Sequence, residues 1–412
     1  MQQDESTAEH IVVVGAGPAG LAVSLGLHRK GVGSVVLESS PALRASGYAI
    51  TTWRNAFRAL DALGVGDKIR KLHLHIQGLR VFSSSTGEIT HELDFTSQEN
   101  GGPHETCRVR RDLLLRAMEE ELPPGTIRYS SKIVSIQEDV GSAAKLLHLA
   151  DGSVLRAKVL IGCDGVNSVV ARWLGLAKPS YSGRLATRGL ARYHPDSGHD
   201  FAPRFLQFIG QGFRFGFVPC DETDVYWFYT WCPSQNDGEG VDQSATKMKQ
   251  HVLSKLRSSK VPAEAVEVVE RSDMSDASAA PLRFRSPLSL LFADISKGNV
   301  CVAGDALHPM TPDLGQGGCS ELEDGVVLAR CLGEAVLRES EADTETERIE
   351  AALRKYAGMR RWRSVSLVGT AYAAGFVQQS DNAVVSFLRE KVLAGVLARS
   401  LLKMADYDCG TL

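Results

Sequence analysis

The chain of 412 residues predicts an α/β protein. Its first unit is built on a parallel sheet, a mainly antiparallel β-sheet is inserted into that unit, and helices close the carboxyl end. Three observations predict this class. Short apolar runs alternate with helix-like stretches at the amino end, residues 181–231 are rich in strand-forming aromatic residues, and residues 348–402 follow a helical pattern. The length suggests two or three structural units.

A glycine-rich turn lies near the amino end. The apolar run His10–Val14 suits a buried parallel strand, and it leads into the sequence GAGPAG before a helix-like stretch. Gly15 allows a tight turn, Gly17 lets a pyrophosphate approach the backbone, and Gly20 lets the helix pack closely on the strand. The helix N-terminus then offers free N–H groups to phosphates. This pattern predicts a Rossmann-like dinucleotide site.

An acidic residue follows the second predicted strand. The run Ser34–Leu37 ends in Glu38, about 20 residues beyond the glycines, where a carboxylate binds ribose hydroxyls in such units. The alternative is an ordinary glycine-rich turn between strand and helix. The ordered series of strand, helix, second strand and acid favours the dinucleotide.

A second glycine cluster stands far along the chain. Asp305 follows the apolar strand Val300–Ala303, where a carboxylate can accept hydrogen bonds from sugar or ribityl hydroxyls. Pro309 and Pro312 hold a rigid loop. The glycines at 315, 317 and 318 then bring backbone N–H groups to a helix start, which suits a ligand that becomes anionic, such as a reduced flavin. A helix N-terminus without a ligand is the alternative.

A third turn, Gly162–Arg172, also lies between a predicted strand and a helix. Asp164 and Gly165 are placed to support a cofactor loop, with Arg172 directed toward a phosphate or solvent. The alternative is that Asp164 only caps an ordinary helix.

Composition excludes several classes of function. The net charge of −3, without a long basic run, gives no sign of a nucleic-acid partner. The eight cysteines form no C-x-x-C pair, so we expect no metal site and no redox dithiol, but reduced thiols in an intracellular protein. We also expect no signal peptide and no transmembrane segment. The location is most simply cytoplasmic, or organellar if a transit peptide has been removed; the oligomeric state stays open.

The remaining pattern predicts individual elements. We expect a helix over Thr51–Lys71, a strand pair over Ile76–Phe82 and Glu88–Phe95, a helix over Arg110–Leu122, a hairpin at Asp151-Gly152, and a long helix from about Gly317 to about Arg338. The predicted nucleotide-binding domain comprises residues 1–75, 100–180 and 285–345, the inserted sheet domain comprises 76–99 and 181–284, and 346–412 form a helical segment. An apolar stripe follows one helix face there, which we interpret as core packing rather than a membrane-surface or dimer contact: Val384, Val385, Leu388, Val392, Leu393, Val396 and Leu397.

With these motifs in place, the chain resembles FAD-dependent monooxygenases of the aromatic-hydroxylase type. It is similar to the group that contains salicylate hydroxylase and zeaxanthin epoxidase, and most of all to their shorter plant relatives. The three motifs of that family fall on the first glycine turn, on Asp164-Gly165 and on Gly304-Asp305. Cys319 stands where many relatives have asparagine.

The resemblance implies a Rossmann-like FAD-binding domain and a set of FAD contacts. These would be Gly15, Gly17, Pro18, Ala19, Gly20, Glu38, Ser39, Arg44, Arg110, Asp164, Gly165, Gly304, Asp305, Pro312, Gly315, Gln316, Gly317 and Gly318. It also implies that NAD(P)H, bound only transiently, reduces the flavin, and that O₂ then gives a flavin C4a-hydroperoxide protected from water. One oxygen atom would pass to a small lipophilic aromatic or isoprenoid-like substrate.

The aromatic strands are expected to form the substrate wall. We expect substrate contacts from Phe205, Gln207, Phe215, Phe217, Tyr229 and Trp231. His308 and Tyr193 are the candidate catalytic residues, with a structural role for His308 and a core position for Tyr193 as the alternatives. Three arginines are candidates for a substrate carboxylate, although each of them also suits a solvated strand position: Arg192, Arg204 and Arg214.

Two other functions stay open on the sequence. One is a flavin oxidoreductase of the same fold that inserts no oxygen. The other is a flavin-binding regulatory protein with little turnover.

Overall fold

A computed structural model gives the fold. It describes residues 9–44, 49–97, 103–210, 212–233, 245–272, 279–339, 341–379 and 394–412. The predicted apolar stripe lies outside the described residues from Val384 to Leu393. Its last two residues, Val396 and Leu397, lie in a described helix, but their side chains are not described.

Strands and helices alternate along the described chain. The strands are β1 (Glu9–Val14), β2 (Val35–Leu37), β3 (Ala49–Trp53), β4 (Gly78–Ser83), β5 (Ile89–Asp94), β6 (Thr106–Arg110), β7 (Ile127–Arg128), β8 (Ile133–Glu138), β9 (Lys145–Leu149), β10 (Val154–Gly162), β11 (Ser180–Arg192), β12 (Arg204–Ile209), β13 (Phe213–Pro219), β14 (Asp224–Trp231), β15 (Ala280–Phe284), β16 (Ser296–Lys297) and β17 (Val300–Val302). The helices are α1 (Pro18–Arg29), α2 (Arg54–Ala62), α3 (Gly66–Leu72), α4 (Arg111–Glu119), α5 (Val169–Trp173), α6 (Ala245–Arg257), α7 (Ala263–Glu270), α8 (Pro287–Phe292), α9 (Gly317–Leu337), α10 (Glu345–Gln379) and α11 (Ala394–Ala405).

The first sheet carries the nucleotide-type motif. Its strand order is β16-β17-β10-β1-β2-β7, and β9 and β8 continue from β10. The strands from β17 to β7 run parallel. β1 and β17 are valine-rich and buried, as a parallel strand covered on both faces must be. The α/β prediction is confirmed, because α1 and α9 pack together beside this sheet.

The second sheet is the inserted one. Its order is β15-β11-β14-β13-β12-β4-β5, and all pairs are antiparallel except β12 with β4. β4 and β5 form the expected hairpin, in which Gly87 takes a φ of +81°. One face of this sheet packs on α6 and α7, and the other faces the first sheet's loops.

The helix expected over Thr51–Lys71 was only partly right. Residues 49–53 form β3, which pairs with β6, and the helical part is divided into α2 and α3. The run Ile50-Thr51-Thr52-Trp53 consists of β-branched and aromatic residues, which favour a strand over the first helical turn.

The described helices of the carboxyl end pack around α9. α10 contacts α9, and Arg330 of α9 donates hydrogen bonds to carbonyl groups of the terminal tail that follows α11. None of the helices in the described ranges combines the length and the apolar character needed to cross a bilayer.

Candidate active site

A cavity of about 280 Å³ lies between the N-terminus of α1, the N-terminus of α9 and the second sheet. Both glycine-rich turns reach it, although they are far apart in sequence. Its lining consists of Pro18, Ala49, Ile50, Thr51, Trp53, Leu79, Phe95, Arg108, Arg111, Ala186, Arg188, Phe205, Gln207, Arg214, Tyr226, Phe228, Thr230, Leu282, Asp305, Met310, Pro312, Asp313, Leu314, Gly315, Gly317, Gly318, Glu321 and Leu401.

Each glycine of the first turn is required for a different structural reason. Gly15 has a φ of +99°, and a Cβ there would lie 2.5 Å from the carbonyl oxygen of Cys163. A Cβ on Gly20 would lie 1.9 Å from the carbonyl oxygen of Gly15. A Cβ on Gly17 would meet only the Arg111 guanidinium, at 3.9 Å. Gly17 therefore borders open space, as a pyrophosphate cradle requires.

Arg111 supplies a positive charge beside that open space. Its Nε is buried and has no hydrogen-bond partner among the described residues. Arg110, which was expected to contact FAD, points elsewhere: it forms ion pairs with Asp112 at 2.9 Å and Asp224 at 2.7 Å and does not line the cavity. The neighbouring residue, Arg111 of α4, lines the cavity instead. An unpaired guanidinium beside an uncapped helix N-terminus fits an anionic pyrophosphate.

Glu38 lies at the end of β2, as expected, and its carboxylate is almost fully buried. It accepts hydrogen bonds from the backbone N–H groups of Ala16 at 2.9 Å and Ser40 at 2.8 Å, and Arg44 and the Ser39 hydroxyl contact it as well. Burial alone would raise the pKa of Glu38, but these donors outweigh it and lower the pKa. Glu38 is therefore an ionised acceptor beside the first glycine turn.

Two carboxylates lie where the second motif meets α1. Asp305 and Glu321 both line the cavity, and Glu321 accepts a hydrogen bond at 3.2 Å from the backbone N–H of Ala19, in the first turn of α1. The two motifs are in close contact, since a Cβ on Gly304 would lie 2.6 Å from the Cβ of Ala19. Burial and the mutual repulsion of the two carboxylates raise the pKa of Glu321 to about 7, and burial also raises the pKa of Asp305.

The turn before α9 lines the cavity on the side of the second motif. Pro312, Gly315, Gly317 and Gly318 line the cavity, and Gly315 takes a φ of +62°. Because no side chain caps α9, its first N–H groups remain available to a ligand. Gln316 is instead buried beneath the turn, where its side-chain oxygen accepts a hydrogen bond from Asn55 at 2.9 Å. The glycines thus suit the flat, partly anionic ring of a flavin.

The Asp164-Gly165 turn has a different role in the structure. The Asp164 carboxylate accepts hydrogen bonds from the Ser168 hydroxyl and from the Val169 backbone N–H, so it caps α5. Gly165 takes a φ of +76°. Neither residue lines the cavity, although the turn packs against Gly15 and supports the first motif from behind. Arg172 is exposed on α5.

His308 must be withdrawn as a catalytic residue. It is fully buried and outside the cavity lining, and its Nε2 lies 2.7 Å from Asp324 and 3.2 Å from the Ser320 hydroxyl. Although burial alone would lower the pKa of His308, the contact with Asp324 raises it. Its contacts with Asp324 and Ser320 hold the loop that carries Asp305 and His308 against α9.

The aromatic alternation was assigned to the wrong face of the sheet. Phe215, Phe217, Tyr229 and Trp231 pack in a core with Trp227 against α6 and α7, and none of them lines the cavity. Side chains of a strand alternate between its two faces, so the neighbouring positions face the cavity instead. Those positions are Ala186, Arg188, Phe205, Gln207, Arg214, Tyr226, Phe228 and Thr230, of which Phe205 and Gln207 were expected.

Tyr193 also lies on the far face, where its ring packs against His199 and Phe201 and beneath the Arg271 guanidinium. It is not a catalytic residue for this cavity. Arg192 is exposed, and Arg204 pairs with Glu92 at 3.2 Å.

Arg214 does line the cavity. Its guanidinium lies 3.3 Å from the carboxylate of Asp313, which also forms an ion pair with Arg184 at 2.8 Å. Two further cavity arginines, Arg108 and Arg188, were missed by the sequence reasoning. Arg188 pairs in register with Phe228, which also lines the cavity.

Comparisons with known proteins agree with this geometry. Residues 9–352 match the model of the FAD binding domain family. Monooxygenase 2 of Arabidopsis thaliana is 47% identical over 416 residues and is covered over 99% of both chains. Aurachin C monooxygenase/isomerase of Stigmatella aurantiaca is 30% identical, over 93% of both chains.

Solved structures show the same fold. The structure of Klebsiella pneumoniae HpxO complexed with FAD and uric acid superposes with a TM-score of 0.80 at 22% identity, over 98% of both chains. The family match covers both glycine-rich turns. The chain therefore belongs to the FAD-dependent monooxygenases of the aromatic-hydroxylase type and is an enzyme of that class.

Proposed function

We propose that the protein uses NAD(P)H and O₂ to insert one oxygen atom into a small aromatic or isoprenoid-like molecule. One observation carries this proposal: a single cavity joins the two glycine-rich turns to the face of the second sheet that lies opposite α6 and α7. A bound flavin would lie between the phosphate cradle and the sheet, and a substrate would lie between the flavin and the sheet.

The residues that would hold FAD follow from the site. The uncapped N-terminus of α1 and Arg111 would bind the pyrophosphate, and Glu38 would accept hydrogen bonds from the adenosine ribose. Asp305 would accept from ribityl hydroxyls, and the N–H groups at Gly317 and Gly318 would face the ring. When bound and reduced by NAD(P)H, FAD supplies the chemistry that activates O₂.

The sheet side of the cavity suits an apolar substrate body. Phe205, Phe228, Leu79 and Leu282 face it, and Trp53 and Phe95 add a T-shaped ring pair at 5.3 Å. Such walls exclude water, which protects a reactive oxygen donor from unproductive decay. Their area also favours rings and hydrocarbon chains over sugars or nucleotides.

Oxygen incorporation tests the proposal. FAD-loaded protein is mixed with NADH or NADPH under ¹⁸O₂ and a panel of aromatic acids, phenols and isoprenoids, and products are analysed by mass spectrometry. We expect at least one compound to stimulate NAD(P)H oxidation and to gain one ¹⁸O atom. A Gly17→Val variant, prepared without FAD, is the matched control and should form no product.

Two results would replace the proposal by its alternatives. NAD(P)H oxidation that yields only hydrogen peroxide across the panel would indicate a flavin oxidoreductase without oxygen insertion. A bound flavin that neither NADH nor NADPH reduces, with or without panel compounds, would indicate a flavin-binding protein with little turnover.

A further inference from the structure

Besides Arg111, two arginines of the cavity lack a carboxylate partner among the described residues. Arg108 from β6 and Arg188 from β11 both line the cavity, and within the described residues neither forms an ion pair with an aspartate or glutamate. Arg108 is only 8% exposed, yet its neighbours are neutral groups: it donates to the Ala49 carbonyl at 2.8 Å and to the Thr51 hydroxyl, and it lies over the Tyr226 ring at 3.6 Å. Its buried Nε has no hydrogen-bond partner in the described part of the chain.

Within the described residues, no acidic residue of the cavity forms an ion pair with Arg108 or Arg188. Asp313 is held between Arg184 and Arg214. Glu321 lies against the first turn of α1. The charges of His308, Arg111 and Arg188 act on Asp305, but none of these groups forms an ion pair with it in the described part of the chain. The end of the cavity near α1 therefore carries two carboxylates and one arginine, Arg111. The end near the second sheet carries more arginines than carboxylates.

The two guanidiniums also affect each other. Burial is the main cause that lowers the pKa of Arg108; Tyr226 and Cys220 oppose it in part, and the charge of Arg188 adds a smaller lowering effect. Like charges held in an apolar cavity without a counter-ion are unfavourable, and buried charges in proteins are normally paired. An anionic group between the two arginines would remove this imbalance.

We propose that Arg108 and Arg188 bind a carboxylate of the substrate, so that the enzyme acts on an acidic compound with an apolar aromatic or hydrocarbon body. This inference rests on the proposed function. The charged end of the substrate would lie between the two guanidiniums. Its apolar body would lie among Phe205, Phe228 and Leu79.

Arg188 is the better residue to change. It is half-buried and its side chain makes no hydrogen bond within the described residues, so replacing that side chain should leave the fold intact. The Arg108 side chain, in contrast, holds β3 through two hydrogen bonds. Arg192 lies four residues further along the same strand and is exposed, which makes Arg192→Gln a matched control for the same change of charge.

The test measures binding to the oxidised, FAD-loaded protein, without NAD(P)H, from the change in flavin absorbance. The probes are benzoate, cinnamate and 2-naphthoate, each paired with its primary amide. We expect the carboxylates to bind at least about tenfold more tightly than the amides, as charge-assisted hydrogen bonds allow. Arg188→Gln should abolish this preference, Arg188→Lys should retain part of it, and Arg192→Gln should leave it unchanged.

Two results would overturn the inference: equal binding of acids and amides by the native protein, or a preference that survives in Arg188→Gln. If the surviving preference is accompanied by a loss of affinity for FAD, the guanidinium is assigned to the flavin instead. Because no turnover is measured, a carboxylate preference can be established even if oxygen insertion fails, and oxygen insertion can be established even if the preference is absent.

Discussion

At the scale of single residues, two of the three glycines in the first motif, Gly17 and Gly20, lead to different predictions. A side chain on Gly17 meets only the tip of Arg111, so Gly17→Val should fold with nearly native stability but bind little FAD, because the added atoms fill the phosphate cradle. A side chain on Gly20 collides with the backbone of Gly15, so Gly20→Val should lose the fold itself. Thermal unfolding and flavin content of the purified proteins check both. Full FAD occupancy in Gly17→Val would contradict the placement of the pyrophosphate.

Glu321 makes FAD binding depend on pH. Its pKa is raised to about 7, the groups that face it being Asp305, Arg111, His308 and the N–H of Ala19. A pyrophosphate brought to α1 would raise that pKa further, so FAD favours the protonated form. The affinity should be constant below about pH 7 and fall at higher pH, by at most about tenfold per pH unit, as FAD binding comes to require uptake of a proton.

Fluorescence titration of the apoprotein with FAD, from about pH 6 to about pH 9, measures this dependence. Glu321→Gln keeps the hydrogen-bonding shape without the charge and should bind FAD with a flatter pH profile and more tightly at the alkaline end. Asp305→Ala, by contrast, should bind FAD weakly at every pH because it removes a ribityl acceptor. A native profile that is flat, or one that is unchanged in Glu321→Gln, would refute the assignment.

At the scale of elements, β13 and β14 divide their aromatic residues between two faces. Phe215 is fully buried against α6 and α7, so Phe215→Ala should destabilise the protein by about 3–5 kcal/mol and leave the binding of 2-naphthoate nearly unchanged. Phe228 faces the cavity, so Phe228→Ala should weaken 2-naphthoate binding more than Phe215→Ala does. Denaturant unfolding and flavin absorbance titration measure the two effects. Equal losses of affinity for 2-naphthoate in the two variants would contradict the assignment of the substrate wall to the Phe228 face of the sheet.

At the scale of the whole molecule, a buried charge network connects the loop that carries Asp305 and His308 to the carboxyl-terminal helices. Arg360 of α10 pairs with Asp324 and with Glu323 at 2.8 Å, both on α9, and Asp324 in turn binds His308. Arg363 pairs with Glu323 at 2.7 Å and donates to the Met404 carbonyl. The network therefore fixes the loop of the second motif relative to α9, α10 and the tail.

Removing its central cation should destabilise the protein strongly. Arg360→Met removes the cation that two buried carboxylates share and leaves Glu323 with Arg363 and Asp324 with His308. We expect a loss of about 3–5 kcal/mol in the free energy of unfolding. Arg354 lies on the same helix and makes only an exposed pair with Glu350 at 3.6 Å, so Arg354→Met should cost less than about 1 kcal/mol. Urea denaturation of both variants gives the comparison. Similar stabilities for the two would show that the network contributes little.

The sequence by itself determined the fold class, the glycine turns and the acid that follows the second strand. These features are local: a positive φ at Gly15, the approach of backbone at Gly20 and the carboxylate at Glu38 are each required within one strand–turn–helix unit, so spacing alone reveals them. The hairpin at Gly87 and the start of α9 are local in the same sense.

Only the tertiary structure decided which side chains face the cavity. A strand has two faces, and aromatic alternation does not say which one is covered by helices; α6 and α7, later in the chain, cover the odd-numbered side of β13 and β14. The choice between Arg110 and Arg111, the burial of His308 and the unpaired state of Arg108 and Arg188 likewise depend on residues distant in sequence. Charge pairing and burial are properties of the packed chain, and no single segment carries them.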